Sequence, residues 1–150
     1  MNFVEFKIIP KHDIGTGRDY EVVDISVDEK PLAEIMKAHE MPFAEAEGHP
    51  ELAGDYHAMN IVAQSLEEYF LGCERDAWWG DDENKTLLLG CSCGETGCWP
   101  LLCKITVEEE KVIWSGFEQW HRCTEWDYSN VGFVFDKQQY INALEKIKAR

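Results

Sequence analysis

Hydrophobic and polar positions along the 150-residue chain change their period several times, and each change marks an element. Near the N-terminus Phe3, Glu5, Phe6, Lys7 and Ile8 alternate loosely and predict a strand over residues 2–9. His12 to Arg18, with Gly15 and Gly17, reads as a loop, and Tyr20 to Val27 as a second strand carrying Val22, Val23 and Ile25. Pro31 then opens a helix on which Leu32, Ile35 and Met36 recur at helical spacing. Pro42, Gly48, Pro50 and Gly54 break residues 41–55 into a long loop. Asp55 is placed to cap a helix running to about Leu71, with Met59, Val62, Leu66, Tyr69 and Phe70 as its apolar stripe and Gly72 as its stop. Residues 76–85, including Trp78-Trp79-Gly80-Asp81-Asp82, read as a loop.

Thr86 to Phe117 has the pattern of a β-meander whose hairpins turn at Glu95-Thr96 and Glu109-Glu110. A last strand, Gly132 to Phe135, leads into a terminal helix. Asp136 and Gln139 form its capping box, and Tyr140, Ile141, Leu144 and Ile147 form its buried face. Lys146, Lys148 and Arg150 suit its negative end. The expected fold is α+β: one antiparallel sheet packed with two or three helices, in a single domain spanning residues 1–150.

Composition and charge narrow the picture further. Hydrophobic residues make up 45% of the chain, enough for a packed core. No stretch approaches the roughly 18 apolar residues of a membrane helix. The N-terminus, Met1 to Lys7, shows neither a basic leader nor a continuous apolar run, so a cytoplasmic setting with reduced thiols is expected. The net charge is −15, which argues against nucleic acid and anionic membranes as partners. Its distribution is uneven. Between Lys37 and Arg75 no Lys or Arg occurs, but eight acids do: Glu40, Glu45, Glu47, Glu51, Asp55, Glu67, Glu68 and Glu74. Such a segment is either a solvated surface or a face for a basic protein partner.

Chemistry concentrates in Gly90-Cys91-Ser92-Cys93-Gly94-Glu95-Thr96-Gly97-Cys98-Trp99-Pro100-Leu101-Leu102-Cys103, which holds four of the six cysteines. With Glu95 and Thr96 central in the turn, Cys93 faces Cys98 and Cys91 faces Pro100. Side chains alternate along strands, so Cys91, Cys93 and Cys98 share one face. Cys103 falls on the other face, with Trp99, Leu101, Ile105 and Val107, and belongs to the core. Counting on through the second hairpin pairs Val107 with Val112, Ile105 with Trp114 and Leu102 with Phe117. An unbroken ladder then brings Cys98 opposite His121. Cys91, Cys93, Cys98 and His121 make a ligand set for structural zinc. The same spacing also suits small buried thiols in a Gly-rich hairpin, or a redox-active Cys93–Cys98 bridge. The register is vulnerable at Pro100, which cannot donate to a ladder, and at Gly116, which can mark a bulge. One slip moves every later side chain to the opposite face.

Other constellations are weaker. Cys93, His121 and Asp127 could in principle form a hydrolase triad, but nothing in their spacing supports it, and no catalytic residue is assigned. His39, Glu40, Glu47, His49, Glu51, Asp55 and His57 collect imidazoles and carboxylates in an irregular segment without helical His pairing, and read as solvated loop polars. Of the six tryptophans, Trp99 and Trp114 share a face with Val107 and Val112 and read as core, whereas Trp78-Trp79 lies in a polar loop.

The second half resembles a group of small, acidic, uncharacterised bacterial proteins. The resemblance covers about residues 86–145. It is carried by Cys91-Ser92-Cys93-Gly94, Gly97-Cys98-Trp99-Pro100-Leu101, Trp114, Phe117, His121-Arg122, Trp126-Asp127-Tyr128-Ser129 and Phe133-Val134-Phe135-Asp136. It implies a single α+β domain and brings no activity with it. Trp120 departs from that pattern, which favours Pro before the histidine, and Cys73, Cys103 and Cys123 fall outside it. Two functions remain open: a non-enzymatic immunity- or antitoxin-like module that engages a basic protein, or a zinc or thiol-redox protein centred on Cys91, Cys93, Cys98 and His121.

Overall fold

The computed structural model describes residues 1–60, 65–72, 78–79, 85–91, 93, 98–122 and 124–148. The architecture is α+β, with two antiparallel sheets rather than the single sheet expected. The first sheet has strands β1 (Val4–His12), β2 (Asp19–Val27) and β3 (Lys30–Pro31) in sequential order. Asp28 and Glu29 turn β2 into β3 with φ of 52° and 68°. Positive φ at both central residues is what a two-residue type I′ hairpin demands. The Asp28 carboxylate steadies the turn by accepting from Asn2 Nδ2 at 2.7 Å and from the Phe3 N–H at 2.8 Å. These bonds hold its pKa below the usual range.

Helix α1 spans Leu32–Ala46 and is the first correction to the expected loop. Pro42 lies inside it. A proline there removes one helical donor, which should bend or end a helix, but the next turn is kept by burial of Ala44 and packing of Phe43. The helix ends instead at Gly48, whose φ is +83°. There His49 N–H donates to Ala44 C=O at 2.9 Å and Gly48 N–H to Glu45 C=O at 3.0 Å, the paired bonds of a Schellman motif.

The helix expected from Asp55 to Leu71 is the second correction. Only Leu66–Phe70 (α2) is helical among the described residues of that span, capped by Ser65. Val62 lies outside the described residues. His57 and Met59 instead form isolated bridges that stitch the two sheets together. His57 and Gly90 exchange backbone bonds of 2.7 and 3.0 Å, and Val23 N–H donates to Met59 C=O at 3.1 Å. Backbone groups committed to distant partners override a helical pattern. Gly72 does end α2, with φ of +74°.

The second sheet orders β4 (Trp78–Trp79), β5 (Lys85–Leu89), β6 (Leu101–Val107), β7 (Lys111–Gln119) and β8 (Phe133–Asp136) side by side. Trp78-Trp79 pairs with Lys85 and Thr86 rather than lying in a loop. Helix α3 (Lys137–Lys148) packs on β1 and buries Tyr140, Ala143, Leu144 and Ile147, leaving Ile141 only partly covered. Its cap is as expected in one half: Asp136 Oδ2 accepts from Gln139 N–H at 3.0 Å. The Gln139 side chain goes elsewhere. Its amide accepts from Val4 N–H and donates to Val4 C=O, at 3.1 and 2.7 Å, as a neighbouring strand would.

One apolar cluster joins both sheets and α3. Phe6, Phe70, Trp114, Phe135 and Tyr140 form its centre. Phe6 and Phe70 ring centroids lie 4.6 Å apart, and Trp114 meets Phe135 edge-on at 5.0 Å. Tyr140 spends its hydroxyl on the Phe70 carbonyl and accepts from Trp114 Nε1, so no polar group of this centre is stranded.

Candidate metal centre

The second hairpin fixes the start of the register. Val107 pairs with Val112 and Ile105 with Trp114, as the turn at Glu109-Glu110 requires. Gly116, with φ of +59°, then inserts a bulge. Beyond it Leu102 pairs with Glu118 instead of Phe117, and Leu101 with Gln119. A second irregularity, between Leu87 and Leu89, shifts β5 against β6. That ladder ends at the Leu89–Leu101 pair, and Gly90 leaves β6 to bridge His57. A Cβ at Gly90 would sit 2.9 Å from Met59 Sδ, so the flexible end of that side chain would have to shift.

The three cysteines therefore lie beyond the sheet, not on it. Residues 94–97, which carry the expected Glu95-Thr96 turn, and Ser92 are outside the described residues. The thiols meet all the same. The Sγ atoms of Cys91, Cys93 and Cys98 all lie within 4.8 Å of one another, and among the described residues this is the one group of three or more such ligand atoms so close. Cys91 is half-buried, and Cys93 and Cys98 are exposed. Hydrogen bonding to Cys91 and to Cys93 pushes the Cys98 thiol up to about 12. Cys103 lies fully buried in β6, as expected for core, and burial drives its pKa well up. Such a thiol is inert.

His121 reaches the neighbourhood by a different route from the one its register predicts. Residues Trp120–Arg122 form a short 3₁₀ turn rather than continuing β7, so no strand pair sets His121 opposite Cys98. Its ring is stacked on Trp99, the residue after Cys98, with centroids 5.9 Å apart and planes 7° from parallel. It stands outside the three-thiol group. Trp99 also meets Trp126 edge-on at 6.0 Å, and the Arg122 guanidinium lies over both rings. Glu47, the C-cap residue of α1, locks that guanidinium with contacts of 3.0 and 3.2 Å, and accepts from Trp126 Nε1 at 3.0 Å. The Trp126 bond and the Arg122 pairing hold the Glu47 carboxyl below its usual range.

Behind the thiols lies a buried polar network absent from the sequence expectations. Gln119 is fully buried at the end of β7. Its Nε2 donates to the Pro100 carbonyl at 3.1 Å and to Tyr56 Oη at 3.4 Å, and its Oε1 accepts from His121 N–H at 2.9 Å. Gln119 thus ties the exit of the cysteine loop to the turn that carries His121. Tyr56 continues the network to Glu40, also fully buried. Glu40 Oε2 accepts from both Tyr56 and Tyr128 at 2.5 Å, and Oε1 accepts from Gly54 N–H at 2.9 Å. Burial raises the Glu40 pKa against these three donors.

The remaining constellations disperse. His39 Nε2 bonds the Asp127 carbonyl, His49 pairs with Glu51, and His57 is engaged by its backbone. Asp127 turns its carboxylate to Ser129 N–H. None of these contacts is the imidazole–carboxylate pair that a Cys93-His121-Asp127 nucleophile needs. No helix among the described residues is long and apolar enough to cross a membrane. No family model matches the chain, and no curated protein or solved structure matches it.

Proposed function

We propose that this chain binds one soft metal ion, zinc, through the thiolates of Cys91, Cys93 and Cys98, with His121 as the fourth ligand. The observation that carries this reading is the convergence of three Sγ atoms within 4.8 Å. Tetrahedral zinc with Zn–S bonds of about 2.3 Å sets its sulfurs about 3.8 Å apart, so the triad has to contract by no more than about 1 Å. Three sulfur ligands favour zinc over magnesium or calcium. His121 is exposed and rides on the ring that follows Cys98. As fourth ligand its imidazole would have to turn off the Trp99 ring towards the thiols. The ion would fasten the cysteine loop, which among the described residues no β5–β6 pairing holds beyond Leu89–Leu101, to the turn at Trp120–Arg122. Elemental analysis of the purified chain tests it. One zinc per chain is expected, lost in Cys93→Ser and weakened at least about tenfold in His121→Ala. Metal far below one per chain, with full stability of Cys93→Ser, would remove the proposal.

A second reading is favoured by charge. The chain carries −15, and its cation-free stretch between Lys37 and Arg75 exposes Glu45, Glu51, Asp55 and Glu68. Such a surface suits a non-enzymatic module, immunity- or antitoxin-like, that neutralises a basic protein. Partners captured at low salt should be basic and should leave as salt rises. Partners that are acidic, or that ignore salt, would contradict it.

A further inference from the structure

We propose that the thiol triad is also a two-electron redox switch, in which Cys93 and Cys98 close a disulfide and dismantle the metal site. The coupling to metal rests on the reading above, whereas the disulfide rests on geometry alone. With all three sulfurs inside 4.8 Å, closing one pair to a bond of about 2.0 Å needs an approach of less than about 3 Å. Exposure chooses the pair. Cys93 and Cys98 face solvent, whereas Cys91 is half-buried beside Gly90, whose backbone is pinned to His57. A bridge from Cys91 to Cys93 would close a ring over a single intervening residue, which disulfide geometry strains.

The oxidant is a peroxide, and the step balances. The Cys93 thiolate attacks one peroxide oxygen, forming the sulfenic acid and releasing hydroxide. Cys98 Sγ then attacks the Cys93 sulfur, the S–S bond forms, and the displaced hydroxide leaves as water with the Cys98 proton. Two electrons pass from the two sulfurs to peroxide, which becomes two waters. Two of the three sulfur ligands are consumed, so metal occupancy and the disulfide exclude each other.

The test treats the reduced full chain with hydrogen peroxide, first without metal and then loaded with zinc. Peptide mass spectrometry reports each cysteine, and a chromogenic chelator reports released zinc. The expected result without metal is a dominant Cys93–Cys98 cross-link, with Cys91 and Cys103 found as free thiols once the oxidised chain is denatured and alkylated. Cys91→Ser should form the same bridge, and Cys98→Ser should drive Cys93 on to the sulfinic acid. Circular dichroism checks that both variants fold. In the loaded protein one zinc should leave per bridge formed, and added zinc should slow oxidation. Comparable cross-links among other cysteine pairs, or a bridge that forms while zinc stays bound, would overturn the switch. A chain that takes no zinc yet forms the bridge overturns the metal reading and sustains the disulfide. A chain that takes zinc and forms no bridge does the reverse.

Discussion

Replacing Gln119 by leucine should loosen the cysteine loop from behind. The side chain is fully buried and makes three bonds, and leucine makes none of them. Pro100 is buried, so its carbonyl is left without its 3.1 Å donor, at about 1–3 kcal/mol. The His121 N–H is only part-buried and recovers some hydration, at about 1 kcal/mol or less. The 3.4 Å contact to Tyr56 is long, and Tyr56 keeps Glu40, so its loss adds little. The total is about 1–4 kcal/mol, a sizeable part of the roughly 5–15 kcal/mol of a whole domain. With a urea slope near 2 kcal/mol/M, the unfolding midpoint should fall by about 0.5–2 M. Zinc affinity should fall at least about tenfold, because the loop and the His121 turn lose their common tie. Gln119→Glu sharpens the test. It keeps the acceptor for His121 N–H but sets an oxygen against the Pro100 carbonyl, so it should be no better than leucine. A Gln119→Leu protein with wild-type midpoint and wild-type zinc affinity would refute the reasoning.

Three further outcomes follow from the same geometry. Gly54→Ala should destabilise by at least about 2–3 kcal/mol in urea titration, because the added Cβ falls 2.3 Å from Lys37 Cβ and 2.8 Å from the Ala33 carbonyl at a φ of +65°; a cost under about 0.5 kcal/mol would contradict it. Glu40 has its pKa raised by burial above the 4.5 of an ordinary glutamate, so the folded state favours its protonated form. Its contribution is full below 4.5 and is lost as pH rises through the folded pKa. The stability difference between wild type and Glu40→Gln should therefore shift towards the variant as pH rises through that window, and a pH-independent difference would count against it. Arg122→Ala should free Trp99 and Trp126 from their guanidinium and red-shift tryptophan emission, an effect that Lys at this position should only partly reverse; unchanged emission in both variants would contradict the clamp.

Features set by near neighbours were legible in the sequence. The Asp136 cap, the Gly72 stop and the Glu109-Glu110 turn each depend on a few adjacent residues. The hairpin register held as far as Gly116, because a turn fixes the pairing that grows from it. The bulge there flips the buried phase of β7 from Val112 and Trp114 to Phe117 and Gln119. That flip moves Gln119 inward and takes His121 out of the expected row. The helix from Asp55 was overridden by bridges to Val23 and Gly90, partners far away in sequence. Glu40 did leave a signal: Leu32, Met36, Glu40 and Ala44 recur every four residues, so a glutamate occupies the buried phase of α1. The C-x-C-x4-C spacing pointed to convergent thiols, and the thiols converge, although among the described residues none of the three is in a strand pair.

The central claim is that three sulfurs meet at one ion, and cobalt(II) titration of the reduced full chain tests it most directly. Thiolate-to-cobalt charge transfer absorbs in the near ultraviolet and strengthens with each sulfur bound. The band should saturate at one cobalt per chain, weaken stepwise as Cys91, Cys93 and Cys98 are changed to serine, persist in Cys103→Ala, and disappear when zinc is added. A chain that leaves cobalt with the spectrum of the hydrated ion, or a band that survives loss of all three cysteines, would contradict it.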